Sequence, residues 1–150
     1  MRGIECVFPS PNKLFTFLKF CGMEMCKQKS DSKVFYVLDQ AVYSRGKRIY
    51  IPTQFDHNLL ISCNDSLLIF ERLVLHIYPP NTQPSTIDTY GDYLLSNCLS
   101  VVLIYDGVFL EIYTKDSGMA EALYNNAILS GAKEVVFKKA DTDFRNTMFV

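Results

Sequence analysis

Apolar segments rich in β-branched and aromatic residues alternate along the chain with polar turns, and this pattern predicts mainly strands. We expect strands over residues 2–8, 34–43, 48–51, 99–105, 108–114 and 134–139, and a last short strand over 147–150. The dipeptide Asp106-Gly107 between two such segments predicts a tight hairpin, and Gly46 predicts a second turn over 44–47. A polar loop is predicted over 27–33.

The helices are predicted where a capping residue is followed by apolar residues that recur every three or four positions. We expect helices over residues 11–21, 54–63 and 90–97, and a fourth that ends at residue 130. The first begins after Ser10 and ends before Gly22, which is its expected C-terminal cap. The fourth is capped by Asp116 or Ser117 and stops at Gly131.

Residues 67–78 fit two patterns. As a strand, they place Ile69, Leu73 and Leu75 on one face; as a helix, they place Leu67, Phe70 and Val74 on one stripe. The high content of β-branched and aromatic residues and the stop at residues 79–80, which are both proline, favour the strand.

These elements predict an α+β fold in which residues 1–150 form a single domain. We expect a mostly antiparallel sheet of five to seven strands, with three to four helices packed mainly on one face. The helix over 11–21 carries Phe15, Phe17 and Phe20 beyond its main apolar stripe. It is therefore either covered on two sides or partly an interface.

Composition narrows the classes of partner. Fifteen basic against sixteen acidic residues give a net charge of −1, which argues against a nucleic-acid-binding protein. The apolar uncharged run over 93–105 has thirteen residues and is shorter than the ~20 that a membrane span needs. The five cysteines show no zinc-binding spacing, so we expect no metal and a reducing, cytoplasmic location. Without a glycine-rich phosphate loop, no cofactor is expected.

Arg45, Lys47 and Arg48 form a basic cluster at a predicted hairpin tip. Such a cluster either meets phosphate or an acidic protein, or provides solubility and protection of a sheet edge.

The other candidate binding residues lie near the predicted ends of elements. They are Asp88, Tyr90, Asp92, Asp116 and Arg145. The segment 141–145 is expected to be a solvated turn in which Arg145 pairs locally. His76, in an apolar run, is expected to be a hydrogen-bonded histidine of the core or of a sheet face.

Four stretches of the chain together resemble a known protein family. They are RGI at residues 2–4, IDTYGDYLLSNC at 87–98, LEIYTKD at 110–116 and DTDFRNT at 141–147. The family is the uncharacterised domain of unknown function 2691 of spore-forming bacteria such as bacilli and clostridia. Gly91 and Phe144 depart from its pattern, where an acidic residue and a glycine are expected. The resemblance implies a single-domain, bacterial, cytosolic protein and adds no catalytic residue.

Three functions remain open from the sequence. The favoured one is a small non-catalytic binding or protein-interaction module. It would form a homodimer through the aromatic residues 15–20 of the first helix or through an edge strand, or it would bind another protein. The second is a small enzyme with a carboxylate pair drawn from Asp88, Asp92, Glu111 and Asp116. The third is an immunity-type or inhibitor protein that uses the basic cluster, or the acidic C-terminal half, on a charged protein.

Overall fold

An antiparallel sheet of eight strands forms the centre of the protein, in a computed structural model that describes residues 1–26 and 32–150. The strands are β1 Gly3–Val7, β2 Val34–Ser44, β3 Lys47–Ile49, β4 Gln54–Asp56, β5 Leu68–Tyr78, β6 Ser100–Tyr105, β7 Phe109–Thr114 and β8 Lys133–Lys138. Their order is β3-β2-β5-β6-β7-β1-β8, and β4 also pairs with β2. The loop predicted over 27–33 lies largely outside the described residues.

Four helices cover the two faces of this sheet unequally. They are α1 Pro11–Cys26, α2 His57–Ser62, α3 Tyr90–Leu95 and α4 Ser117–Leu129. The helices α1, α2 and α4 pack over the larger apolar core on one face, which we call the helical face. The opposite face carries a smaller core that is covered by α3 and by part of residues 139–150, the C-terminal segment. None of the described helices is long and apolar enough to span a bilayer.

The antiparallel α+β prediction is confirmed, with one strand more than expected. The chain between residues 47 and 56 runs back along β2 and pairs with it twice, so that β4 is an additional strand after β3, which corresponds to the strand predicted over 48–51. The helix predicted over 54–63 therefore starts only at His57. Residues 68–78 form a central strand between β2 and β6, which agrees with the favoured interpretation.

Both predicted hairpins are present, and their turns have the expected backbone. Arg45 and Gly46 have φ of 54° and 78°, and Asp106 and Gly107 have φ of 54° and 77°. Positive φ at both central residues gives a turn whose twist matches that of the flanking strands.

Two local predictions are wrong. Helix α1 does not end before Gly22 but continues to Cys26. Gly22 instead allows α2 to pack closely against α1, since a Cβ here would lie 3.0 Å from the Leu60 side chain of α2. Residues 147–150 do not form a strand, and the Met148 amide instead donates to the Asp88 carbonyl at 3.0 Å. Phe15 and Phe17 are buried in the core and Phe20 is partly buried against it, which agrees with the alternative in which α1 is covered on two sides.

Gly3 is the position at which the sheet tolerates a side chain least. It lies in β1 between β7 and β8, and a Cβ there would approach the Ile112 carbonyl oxygen to 1.8 Å. We expect Gly3→Ala to lower the free energy of unfolding by at least about 2 kcal/mol, because the backbone of β7 has to move. Urea unfolding followed by circular dichroism measures this change.

Gly91→Ala is the matched control, because a Cβ in that helix would meet only the Thr89 hydroxyl at 3.7 Å. It is expected to be neutral or to stabilise by up to about 1 kcal/mol. Equal unfolding midpoints for Gly3→Ala and the wild type would contradict the packing described for β1.

Candidate functional site

Six charged side chains meet on the sheet face opposite α1 and α4, and we call them the ion cluster. They are Arg2, Glu5, Glu111, Lys138, Asp143 and Arg145. Because Glu111 alternates with Leu110 and Ile112 of the helical core, its carboxylate points to the other face. The cluster holds three carboxylates and three cations, so its formal charges balance.

Lys138 is the centre of the cluster. Its side chain is 4% exposed, and its ammonium donates to Glu111 at 2.7 Å and to Glu5 at 3.3 Å. It also lies 3.3 Å from an oxygen of Asp143, whose side chain is 1% exposed. Arg145 binds Glu111 through two nitrogens, which is the bidentate arrangement that favours arginine. The C-terminal segment is thereby fixed across β7 and β8.

Asp143 links the cluster to the tyrosines of the smaller core. It accepts from the Tyr113 hydroxyl at 3.0 Å and from Arg2 at 3.3 Å. The guanidinium of Arg2 in turn lies 4.1 Å from the centre of the Tyr90 ring. Cation, carboxylate and aromatic ring therefore form one continuous set of contacts between β1, β7, α3 and the C-terminal segment.

Contacts within the ion cluster shift the pKa values of its buried members. Burial alone would raise the pKa of Glu111, but the hydrogen bonds from Arg145 and Lys138 hold that pKa below its ordinary value. Burial also opposes ionisation of Asp143, whose pKa is lowered by Lys138 and by a backbone amide. Burial would lower the pKa of Lys138, and Glu111 more than reverses this effect. All three groups are therefore charged at neutral pH.

The predicted site residues lie in four separate places. Arg145 belongs to the ion cluster and Tyr90 borders it, whereas Asp116 caps α4 by accepting from the amides of residues 118 and 119. Asp92 accepts from the amides of Asp88 and Thr89 in a capping box of α3. The prediction that Arg145 pairs locally in a solvated turn is wrong, because its main partner, Glu111, is thirty-four residues away.

The candidate carboxylates do not converge on one pocket. Glu111 is buried in the ion cluster, Asp92 caps α3 and Asp116 caps α4. Asp88 approaches Asp92 through its backbone amide.

The basic cluster does lie at a hairpin tip, and it adjoins an apolar pocket. Arg45 and Lys47 are exposed, while Arg48 donates to the Gln40 carbonyl at 2.9 Å and lies 5.2 Å from the Tyr50 ring centre. The Tyr50 side chain is 73% exposed and forms one wall of the pocket. Sequence analysis did not find this pocket, because its walls come from α1, α2, β5 and the connection between β3 and β4.

The pocket encloses about 170 Å³ and is almost wholly apolar. We call it the Tyr50 pocket; its outer wall consists of Tyr50, Ile51, Pro52, Phe55 and Leu59. Lys19 of α1 donates to the carbonyl of Cys63, another residue that lines the pocket, at 2.6 Å. The side chains of Arg48 and Lys19 therefore each contact a lining residue of this apolar pocket.

His76 departs from its prediction. It is buried on the sheet face opposite the helical core, yet its Nε2 has no hydrogen-bond partner in the described part of the chain. Burial lowers its pKa to about 4, so the imidazole is neutral at pH 7. It lines an open groove of about 550 Å³ between β2, residues 84–88 and the C-terminal segment.

Comparison with known proteins places this chain in a family. The family described as "Protein of unknown function (DUF2691)" matches residues 20–149, which is most of the chain. The chain belongs to the DUF2691 family. The match includes the basic cluster and the Tyr50 pocket except Phe15 and Leu18. It also includes four residues of the ion cluster, which are Glu111, Lys138, Asp143 and Arg145.

One curated relative supports this assignment over part of the chain. An uncharacterised protein, YncE of Bacillus subtilis (strain 168), is 30% identical over 76 residues, or 51% of this DUF2691 chain. The chain spans about half the length of that relative. No solved structure shows significant similarity to the present chain.

Lys138 tests the structural role of the ion cluster. Lys138→Met removes the ammonium between Glu111 and Asp143 and should lower the free energy of unfolding by about 3 kcal/mol. This is the lower end for a broken buried pair, because Arg145 still neutralises Glu111. Urea unfolding at pH 7 measures it against Lys139→Met, an exposed neighbour that should change little. Equal losses in the two variants would refute the assignment.

His76 should make stability depend on pH in a defined window. Its folded pKa of about 4 lies below the ordinary 6.5, so below pH 6.5 the unfolded chain binds a proton that the folded chain does not. Its contribution to stability is therefore full above pH 6.5 and falls by up to about 1.4 kcal/mol per pH unit down to pH 4.

Urea unfolding between pH 4 and 7 measures this slope. His76→Gln should remove the His76 contribution, while the loss due to Glu111 and Asp143 should persist below about pH 4. The same slope in both proteins between pH 4.5 and 6.5 would show that His76 is protonated in the folded state.

Proposed function

We propose that this protein is a non-catalytic binding module that recognises an acidic segment of a partner protein. The observation that carries the proposal is Tyr50: its exposed ring forms a wall of an apolar pocket and has the Arg48 guanidinium beside it. Tyrosine and arginine, together with tryptophan, are enriched among the residues that dominate binding at protein interfaces.

The size of the Tyr50 pocket fits one apolar anchor. A cavity of about 150 Å³ takes up benzene, and the 170 Å³ here correspond to one phenylalanine or leucine side chain. Leu59, at its rim, is 43% exposed and would be covered by such an anchor.

The charges around the pocket favour an acidic partner. Arg48 contacts the lining residue Tyr50 and Lys19 contacts the lining residue Cys63, while Arg45 and Lys47 are exposed at the hairpin tip that carries Arg48. The nearby Asp65 is already engaged, since it accepts from the Ser44 hydroxyl and the amide of residue 67.

The thiols and carboxylates support noncovalent recognition. Burial raises the pKa of Cys98 to about 11 and that of Cys6, also near Glu5, to about 12, so neither is a thiolate at pH 7. Asp92 and Asp116 act as helix caps, which is a structural role.

We also infer a single-domain bacterial protein of the cytoplasm. Cys6, Cys21, Cys63 and Cys98 are free thiols, which suits a reducing compartment, and the curated relative comes from Bacillus subtilis.

Fluorescence anisotropy with labelled peptides tests the proposal. The probe is a twelve-residue peptide with glutamates on both sides of a Leu-Phe pair. We expect Tyr50→Ser and Arg48→Glu each to weaken binding at least about tenfold, because they remove the pocket wall and reverse the charge beside it. Raising the salt from about 50 to 300 mM should weaken binding several-fold.

The controls separate recognition from general charge attraction. Lys133→Glu makes the same charge change at an exposed residue of β8 and should leave the affinity within about twofold of the wild type. A peptide with lysines in place of glutamates should not bind. Equal affinity for the two peptides, or no binding at about 1 mM acidic peptide, would overturn the proposed function.

A further inference from the structure

The open groove of about 550 Å³ beside His76 lies on the sheet face opposite the helical core, and we call it the His76 groove. Residues 84–88 and residues 148–150 of the C-terminal segment supply most of its lining. Strands β2 and β5 supply the rest, which consists of Leu38, Asp39, Val74 and His76. A volume of this order is typical of sites that hold small molecules.

His76 is the unusual residue of this groove. Its neighbours in β5, Leu75 and Ile77, belong to the helical core, so its imidazole lies on the opposite face of the sheet. The residue is 3% exposed, and its Nε2 is out of contact with solvent and has no hydrogen-bond partner within residues 1–26 and 32–150. Buried polar atoms are almost always hydrogen-bonded, so this nitrogen needs an explanation.

The residues directly opposite His76 in the sheet do not supply the partner. Tyr36 of β2 packs its ring edge-on against that of Tyr78, and Val101 of β6 is apolar and fully buried. The other histidine, His57, also has one unpaired ring nitrogen but is only half-buried. In the described part of the chain, His76 alone therefore combines an unpaired ring nitrogen with almost complete burial.

The charges at the groove disfavour a charged ligand. Its described lining includes the carboxylates of Asp39 and Asp88 but no lysine or arginine. Arg72 already neutralises Asp39, to which its guanidinium donates at 2.6 and 3.2 Å, and Asp88 is exposed to water. An anion would therefore find no cation in this lining. An ammonium beside His76 would lose its hydration to a ring that is neutral at pH 7, since burial lowers the pKa of His76 to about 4.

A hydroxyl group complements His76 in either of its neutral forms. A neutral imidazole carries its proton on one of the two nitrogens, so that Nε2 either donates or accepts a hydrogen bond. A hydroxyl can do both, and it brings no charge into the groove.

The apolar part of a ligand is indicated by side chains that the fold leaves uncovered. Leu38 and Phe149 line the groove and are 56% and 48% exposed. Met148 also lines it, and its unbranched side chain adapts readily to a new neighbour. Covering the two exposed side chains would remove apolar surface from water and so favour binding.

We propose that the His76 groove binds a small uncharged hydroxyl compound with an apolar body. The hydroxyl forms a hydrogen bond with Nε2 of His76, and the apolar body packs against Leu38 and Phe149. The ligand reaches the buried nitrogen by displacing the flexible side chain of Met148. The groove shares no lining residue with the Tyr50 pocket and lies on the other face of the sheet, so the inference goes beyond the proposed function.

Nitrogen-15 NMR of the 150-residue chain tests the proposal, with benzyl alcohol as the probe. The chain has two histidines, and His57→Gln leaves only the ring signals of His76. We expect benzyl alcohol to shift the Nε2 signal. It should also bind at least about tenfold more tightly than toluene, benzoate or benzylammonium, which have similar bodies. Toluene cannot pair with the nitrogen, and the two ions would each bury an uncompensated charge.

His76→Leu has a side chain of similar volume without the ring nitrogens and should weaken the binding of benzyl alcohol at least about tenfold. His57→Gln is the matched control and should leave this affinity unchanged. The comparison of the four compounds is made on the unmutated chain, so it decides the proposal even where His76→Leu does not fold.

The outcomes that overturn this proposal are distinct from those that concern the partner peptide. Equal binding of benzyl alcohol and toluene, or unchanged affinity in His76→Leu, would exclude His76 as the ligand-binding group. Tighter binding of benzoate or benzylammonium would refute the ligand class. An Nε2 signal that does not move up to about 10 mM benzyl alcohol would refute the site itself. Tyr50→Ser should change none of these results, so that either proposal can fail alone.

Discussion

The contact between Lys138 and Glu111 determines how the second face of the sheet is covered. Both side chains are almost fully buried, and neither charge could remain there without the other. Because Lys138 ends β8 and Glu111 lies in β7, their pairing holds an edge strand in register across β1. Arg145 and Asp143 then attach the C-terminal segment to the same charges, and Met148 of that segment completes the smaller core.

This arrangement explains why a sheet with three helices on one face does not leave its other face bare. The helical face is closed by apolar packing alone, with Phe17, Leu18 and Leu123 fully buried. The opposite face is closed by one short helix and an irregular segment, neither of which brings a broad apolar surface. Buried tyrosine rings provide the apolar surface on this face. Tyr78, Tyr93 and Tyr113 are fully buried, and the hydroxyl of each forms a hydrogen bond with a polar partner.

Local signals made the strands, the hairpins and the helix caps predictable from the sequence. The Asp106-Gly107 turn and the Asp116 cap are read from neighbouring residues and are formed as expected. Gly22 shows the limit of such signals, because its role depends on Leu60, thirty-eight positions away. Likewise, Asp143 and Arg145 have the composition of a solvated turn, and only the folded chain brings Glu111 and Lys138 to them.

Ion pairing within the chain distinguishes the cations that stabilise the fold from those that are available to bind a partner. Lys138 and Arg145 are each neutralised by carboxylates of this chain, so their charges are used in folding. Arg45 and Lys47 are exposed at the hairpin tip, where a charge costs the fold little. Removing either of them should therefore cost little stability, whereas removing Lys138 leaves buried carboxylates with fewer partners. The cations that can be spared by the fold are those of the hairpin, and these are the ones that the proposed function uses.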